Sequence, residues 1–301
     1  MNQLIMSQPA TQTDTYEFLT IEPLTGAMGA ELTNIDLRSP LDDAAVDEIR
    51  RALLAYGVIF FRDQHLTHDQ HLQLAMRFGT TEEHPIVNGL EEHPDIIRML
   101  KPAGESASFG VGWHSDNSFL AEPSLGSIVR AEIVPPYGGD TLFANQTLAY
   151  ETLSPGMKHL LDGLVAVHSA RDAYTSSTAE EKYDSETAIT YRRTEAVQNT
   201  VEHPVVRTHP ETGRKALYVN PMFTLHFKDM SVEESAGLLD YLFDHAVRGE
   251  FQCRFRWQPG SLAVWDNRAT WHYALNDYDG KRRLMHRITL DGVALEAAHE
   301  G

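Results

Sequence analysis

Apolar side chains recur at the three- and four-residue spacing of an amphipathic helix in four segments, and each segment opens on a residue type that caps helices. Thr67 and Ser231 each stand three residues before a Gln or a Glu, which is the pattern of a capping box. Ser154 is followed by a proline, which favours a first helical turn. The pattern predicts helices over 42–56, from Thr67 through Phe78, from Ser154, and from Ser231 to Gly249.

Seven short runs are rich in aliphatic, β-branched and aromatic residues and are bounded by turn residues, as is typical of strands. They cover 58–61, 127–133, 205–208, 216–219, 253–257, 262–265 and 284–290. Few helices among many short strands favour a mainly β fold with flanking helices, and we expect a double-stranded β-helix, or jelly roll. Because no linker divides the chain, we predict a single domain over 16–301 preceded by a flexible tail at 1–15.

Two segments lack any sustained hydrophobic period. The polar and charged stretch 171–200 is longer than an ordinary connection in a compact domain, and such loops are functional lids or disordered segments. The stretch 101–112 contains glycine and serine and directly precedes a candidate site. We expect both segments to form mobile walls of that site.

Composition narrows the class of protein. Apolar residues make up 42% and charged residues 23% of the 301 positions, as in soluble globular proteins, and no apolar run is long enough to span a membrane. The net charge of −18 argues against a nucleic-acid surface, although a few arginines in a cleft still suffice to hold a small anion. Cys253 is the only cysteine, which excludes an intrachain disulfide. Because the N-terminus also lacks a basic region followed by an apolar one, we expect a reducing cytoplasm.

His114 and Asp116 stand two residues apart, and in an extended strand such residues point to the same side, so both can reach one metal ion. With His272 they complete two histidines and one carboxylate, the ligand set of non-haem iron(II) oxygenases. A lone His-x-Asp pair among 15 histidines is weak evidence. Arg283 and Arg287 are four residues apart on a predicted strand, so both guanidinium groups can enter one cavity.

Two further motifs stand in fixed order around these residues, Gly138-Gly139-Asp140-Thr141 and Trp265-Asp266-Asn267-Arg268. With them the chain resembles, over nearly its whole length, the taurine dioxygenase (TauD/TfdA) family of Fe(II)/2-oxoglutarate-dependent dioxygenases, which includes alkylsulfatases and aryloxyalkanoate dioxygenases. The resemblance implies an oxidoreductase that uses Fe(II), 2-oxoglutarate and O2 and releases succinate and CO2. It implies His114, Asp116 and His272 as iron ligands and catalytic residues, Thr141 and Arg283 as ligands of the distal carboxylate of 2-oxoglutarate, Arg287 as the anchor of a substrate anion, and Phe223 as a pocket-lining residue.

The substrate is indicated by departures from the family pattern. Taurine dioxygenases share the sulfonate between the anchor arginine and a histidine in an HPxY stretch, and a tyrosine and an asparagine serve the polar end. This chain keeps the histidine as His84, but Val87 stands at the tyrosine position and Gly110 at the asparagine position. Neither satisfies an ammonium group, and a buried charge without a partner is costly. We therefore expect, instead of taurine, an anion with a larger apolar body: an alkyl or aryl sulfate or sulfonate, with an aryloxyalkanoate as the alternative.

Other interpretations remain open at this point. Halogenation needs a vacant position where the carboxylate ligand stands, and Asp116 fills that position. A non-catalytic jelly-roll binding protein would keep the metal residues as structure. A separate alternative for Arg287 is an ion pair with an acidic residue of the barrel in place of a substrate anion. As partners we expect the small anion and a second copy of the chain, because we predict a homo-oligomer, with neither nucleic acid nor membrane involved.

Overall fold

A computed structural model describes residues 15–106, 110–174 and 194–292. The predicted tail lies outside the described residues except for its last member, Thr15, and so do 107–109 and 175–193 of the two predicted mobile walls. Within the described part of the chain, no helix combines the length and the apolar character that crossing a membrane requires.

The elements follow one another in chain order. The strands are β1 (Thr20–Pro23), β2 (Ala30–Thr33), β3 (Val58–Phe61), β4 (Thr81–Glu82), β5 (Ile96–Lys101), β6 (Gly126–Ile133), β7 (Thr141–Asn145), β8 (Val165–Ser169), β9 (Thr200–Pro204), β10 (Val206–Thr208), β11 (Lys215–Leu217), β12 (Thr224–Phe227), β13 (Gln252–Phe255), β14 (Leu262–Asp266), β15 (Thr270–Ala274) and β16 (Arg283–Leu290). The helices are α1 (Asp43–Tyr56), α2 (His68–Ala75), α3 (Gln146–Glu151), α4 (Pro155–Leu161), α5 (Arg171–Tyr174) and α6 (Val232–Ala246).

Two facing sheets build the jelly roll that the sequence predicts. The major sheet runs β1-β2-β3-β14-β6-β16-β4, with β5 also paired to β16, and the minor sheet runs β13-β7-β15. Strands far apart in sequence are neighbours in both sheets, as the double-stranded β-helix requires. The last strand, β16, therefore lies in the interior of the major sheet, where its inner face looks toward the minor sheet.

Successive side chains of a strand point to opposite faces, so each face of the major sheet carries an apolar cluster of its own. The outer face packs against α1 and α2 through a cluster that includes Ile128, Val264 and Ile288. Alternate residues of the same strands, such as Val129 and Met285, join the cluster inside the barrel. Both faces of these strands are therefore buried, and the inner face of β16 also carries the charged side chains of Arg283 and Arg287.

The four helix predictions are confirmed, with differences at the C-terminal ends. Both capping boxes form, since the Thr67 and Ser231 hydroxyls accept backbone N–H groups while Gln70 and Glu234 reach back to the cap. The predicted second helix ends at Ala75 and not at Phe78, and the fourth ends at Ala246 and not near Gly249. Helix ends depend on packing more than helix starts do, because no side-chain cap stops these two helices.

Candidate active site

His114 and Asp116 do not lie on a strand, so the prediction of an extended pair was wrong. His114 instead forms an isolated bridge with His272 of β15, in which each backbone N–H donates to the other residue's carbonyl, at 3.1 and 2.8 Å. Asp116 begins a turn immediately afterwards. Backbone pairing across the barrel, rather than the alternation of one strand, is therefore what brings the three side chains together.

The three ligand atoms offered by His114, Asp116 and His272 lie within 4.8 Å of one another. Asp116 Oδ1 is 3.5 Å from Nε2 of His114 and 3.6 Å from Nε2 of His272. All three side chains are buried. Two imidazole nitrogens and one carboxylate oxygen therefore lie close enough to bind one metal ion. They match the donor set of a non-haem iron centre, which leaves other coordination positions open.

The protonation states also suit a metal. Burial, with the neighbouring His114, holds the pKa of His272 well below its ordinary value, so the imidazole is neutral. Burial by itself would raise the pKa of Asp116, but the charge of Arg287 and the two imidazoles outweigh burial and hold that pKa well below the usual range. His114 Nδ1 lies 2.9 Å from the carbonyl of Gly112, which fixes the Nδ1–H tautomer and leaves Nε2 as the ligand atom.

One cavity of the barrel holds the residues predicted for 2-oxoglutarate. It is lined by Met99, Gly110, His114, Val129, Thr141, Trp257, Trp265, His272, Ala274, Arg283 and Arg287. The Thr141 hydroxyl oxygen accepts a hydrogen bond of 2.9 Å from the indole N–H of Trp257, so its own hydrogen is left to donate. Sequence reasoning missed Trp257, which could have been suspected only as a polar aromatic residue at the end of a predicted strand.

Arg283 is 8% exposed, and its Nε has no hydrogen-bond partner among the described residues. Its Nη2 donates a weak bond of 3.4 Å to the carbonyl of Gly139. Burial lowers the pKa of this guanidinium, because no carboxylate within the described part of the chain pairs with it directly to offset its lost hydration. A buried cation with unused donors in a cavity fits an anionic ligand such as the distal carboxylate of 2-oxoglutarate.

The glycines of the GGDT motif have a packing reason. Gly139 has φ +70°, and a Cβ there would lie 3.2 Å from the ring of Tyr278. A Cβ on Gly138 would lie 2.5 Å from the Asp277 carboxylate, which accepts the Gly139 N–H at 2.7 Å. Only glycine allows the turn to close against this loop, and that closure sets the position from which Thr141 enters the cavity.

Arg287 combines two possibilities that the sequence left open. Its Nη1 pairs with Asp116 Oδ1 at 3.0 Å, and its Nη2 donates to the hydroxyl of Thr289 at 3.2 Å. The arginine therefore does pair with an acidic residue of the barrel, and that residue is a proposed metal ligand. Its Nε, however, is buried in the cavity wall without a partner among the described residues.

The residues predicted for the substrate are not all in the cavity. Gly110 lines it, and a Cβ there would lie 3.8 Å from the ring of His114. Val87 is fully buried against Ile97, and His84 Nδ1 accepts the N–H groups of Ile86 and Val87, so neither Val87 nor His84 belongs to the cavity lining. Because Nδ1 of His84 is an acceptor, Nε2 carries the proton of the neutral ring. Phe223 stands edge-on to His114, with ring centroids 6.2 Å apart.

A jelly roll in which two buried histidines and a carboxylate meet beside a cavity lined by two buried arginines defines a class, the non-haem iron oxygenases. Within it, the chain belongs to the taurine catabolism dioxygenase TauD, TfdA family, whose model matches residues 20–289. It is therefore a dioxygenase, an oxidoreductase of the 2-oxoglutarate-dependent kind.

Individual relatives are similar along most of their length. An alkylsulfatase of Acinetobacter baylyi is 37% identical over 93% of this chain and 87% of its own length. An alpha-ketoglutarate-dependent sulfate ester dioxygenase of Pseudomonas putida is 37% identical over 91% and 90%. The crystal structure of a taurine dioxygenase from Burkholderia xenovorans superposes with a TM-score of 0.77 at 37% identity, covering 95% of this chain and 97% of that chain.

Proposed function

We propose that this enzyme hydroxylates a small organic anion, a sulfate or sulfonate with an apolar alkyl or aryl body, at a C–H bond of the saturated carbon next to the heteroatom. Per turnover, 2-oxoglutarate and O2 are converted to succinate and CO2 with one oxygen atom passing to the substrate carbon. The hydroxylated carbon then collapses to a carbonyl, and sulfate or sulfite leaves. The observation that carries the proposal is that two buried arginines, each with an Nε that has no partner among the described residues, line the same cavity as His114 and His272 of the metal triad.

Each residue has a separate task in this proposal. His114, Asp116 and His272 hold Fe(II), which supplies the oxygen chemistry when bound. Arg283 holds the distal carboxylate of 2-oxoglutarate by charge-assisted hydrogen bonds, and the Thr141 hydroxyl, committed as a donor by its indole partner, adds one more. Together they hold the reactive end of the cosubstrate at the metal.

The substrate anion is assigned to Arg287, with His84 as a second donor. Arg287 lines this cavity and its Nε has no hydrogen-bond partner among the described residues, and the Nε2 of His84 is of the right type to donate to an anion. Holding the anion at this end positions the adjacent carbon for attack. The role of the pair is supported by its chemistry, and mutation tests it.

The surroundings of His114 support a substrate with an apolar body. Phe223, whose ring stands edge-on to His114, belongs to a buried apolar cluster with Ile86 and Phe119, and Met222 packs against this cluster. Gly110, which lines the cavity, has no side chain that could accept a hydrogen bond from the ammonium group of taurine. The names of the alkylsulfatase and sulfate ester relatives point in the same direction.

The test is substrate-dependent succinate formation. Protein loaded without oxygen with Fe(II) and 2-oxoglutarate is exposed to O2 in the presence of alkyl sulfates, sulfonates or aryloxy acids, and succinate and the released anion are quantified. We expect succinate and sulfate or sulfite in equal amounts with a sulfate or sulfonate. Equal succinate and phenol with aryloxy acids alone would favour the aryloxyalkanoate alternative. Succinate no higher than in a His272→Ala variant for every compound would favour a non-catalytic binding protein.

We also propose a cytoplasmic location, since Cys253 is buried as a free thiol and burial raises its pKa to about 12, which suits a protein in a reducing compartment. A homo-oligomer remains our expectation for the assembly, and the molar mass in solution measured by light scattering tests it.

A further inference from the structure

The carboxylate of Asp116 has two chemically different oxygens. Oδ1 faces the Nε2 atoms of the two histidines, at 3.5 and 3.6 Å. Oδ2 faces the other way and accepts hydrogen bonds from the Ser127 hydroxyl at 2.9 Å and from the Asn267 side-chain amide at 3.2 Å. Only Oδ1 is turned toward the metal site.

The orientation of the Asn267 amide is determined by its other neighbours. Its Oδ1 accepts the indole N–H of Trp265 at 2.9 Å and the backbone N–H of Asp116 at 3.3 Å, and both of these groups can only donate. The NH2 end must therefore point at the Asp116 carboxylate. In a flipped amide, the NH2 group would face the N–H groups of Trp265 and Asp116, and the amide oxygen would face the Asp116 carboxylate.

The two donors, Ser127 and Asn267, are both buried and held by other contacts. Ser127 is 0% and Asn267 is 1% exposed. Ser127 lies on β6 between β14 and β16, where it pairs with Trp265 and Thr289. The Asn267 backbone N–H donates to the carbonyl of Leu125 and its own carbonyl accepts the Ser115 hydroxyl at 2.6 Å. These contacts hold the segment that carries Asp116 against the ends of β6 and β14, two interior strands of the major sheet.

We propose that Asn267 and Ser127 are positioning residues that restrict Asp116 to binding the metal through Oδ1 alone. A carboxylate that turns both oxygens to a metal occupies two positions, and Asp116 can do this only by giving up both hydrogen bonds to Oδ2. Binding through one oxygen keeps three positions open, which chelation by the keto acid and binding of O2 together require. The inference rests on the proposed metal site, but not on any choice of substrate.

Cobalt(II) is the probe, because its visible absorption reports coordination number without turnover. We compare Ser127→Ala and Asn267→Asp with the wild type and with Ser261→Ala. Ser261 is also 0% exposed and carries a hydrogen-bonded hydroxyl, but its partners are Arg62 and Gln258. Ser127→Thr restores the donor.

We expect cobalt(II) affinity about 10- to 100-fold weaker in Ser127→Ala, as is typical for loss of an outer partner of a metal ligand. The loss should be larger in Asn267→Asp, which sets a second carboxylate against Asp116. The cobalt spectrum should change in both variants, and 2-oxoglutarate should bind the metal-saturated variants more weakly. Ser127→Thr should recover toward the wild type, and Ser261→Ala should match it.

Wild-type cobalt affinity and spectrum in Ser127→Ala would overturn the inference, and so would an equal loss in Ser261→Ala, since that loss would reflect general destabilisation. Normal metal behaviour of the wild type without turnover on any substrate would refute the proposed function instead, and it would leave the role of Asn267 and Ser127 standing.

Discussion

Arg283 and Arg287 extend from one face of β16 into one cavity, yet we assign them to different ligands. Replacing each by alanine separates the assignments. Arg283→Ala should raise the KM for 2-oxoglutarate with little effect on the prime substrate. Arg287→Ala should do the reverse, because its loss removes the anchor of the substrate anion and leaves Arg283 and Thr141 in place.

The expected size follows from burial. The two guanidinium groups are 8% and 3% exposed, so an anion bound to either is almost fully desolvated. Removing one partner of a buried charged pair costs about 2 to 5 kcal/mol. At about 1.4 kcal/mol per factor of ten, this corresponds to a KM raised about 30-fold to several thousand-fold. Arg283→Lys should recover only part of the loss, since an ammonium cannot form the two-point contact of a guanidinium.

The assay is succinate formation at saturating Fe(II), with one substrate varied at a time. Saturating metal is needed because Arg287 also pairs with Asp116 at 3.0 Å, so its removal changes the charge around the metal. Arg130→Ala is the matched control: it removes an 8% exposed guanidinium from the neighbouring strand, one residue from Val129 and hence on the opposite face. If both variants alter only the KM for 2-oxoglutarate, or if the control behaves like either, the assignment is refuted.

Three further outcomes are expected. Alanine at His114, Asp116 or His272 should abolish turnover and weaken metal binding, and full activity in any one variant, measured as succinate, would remove that residue from the site. The melting temperature should fall little for the two histidine variants but more for Asp116→Ala, which leaves the buried Arg287 without its partner at 3.0 Å. Across an alkyl sulfate series kcat/KM should rise by about 0.8 kcal/mol per added methylene until the pocket is full, with taurine a poor substrate; a flat profile would contradict the apolar pocket. Burial lowers the pKa of His71 to about 3. Between about pH 6.5 and pH 3, the unfolded chain therefore binds more protons at this residue than the folded one does. As the pH is lowered through that range, the contribution of His71 should reduce the free energy of unfolding by about 1.4 kcal/mol per pH unit. Denaturant unfolding of His71→Gln should show a shallower dependence over that range, and an unchanged slope would show that this histidine does not contribute.

The sequence alone predicted those features that depend on residues close together in the chain. The capping boxes at Thr67 and Ser231 act within one turn, so four residues are enough to predict where a helix starts. β14 is apolar at four of its five positions because both of its faces are buried, and this run is visible in the sequence. β16 is also buried along its whole length, yet it carries two arginines, and only the fold shows that their side chains reach the cavity. Short strands such as β4 and β12, with few buried side chains, exist only because neighbouring strands pair with them, and the sequence did not predict them.

The sequence by itself determined the inventory of the site, that is, two histidines, a carboxylate, a hydroxyl and two arginines in family order, because metal and carboxylate chemistry restrict which residue types can serve. The tertiary structure decided how they meet. Asn267 reaches Asp116 across 151 positions of sequence, and Trp257 reaches Thr141 across 116. Such contacts depend on closure of the barrel, which brings strands together without any repeating spacing in the chain, and only the folded molecule therefore shows which donor holds which ligand.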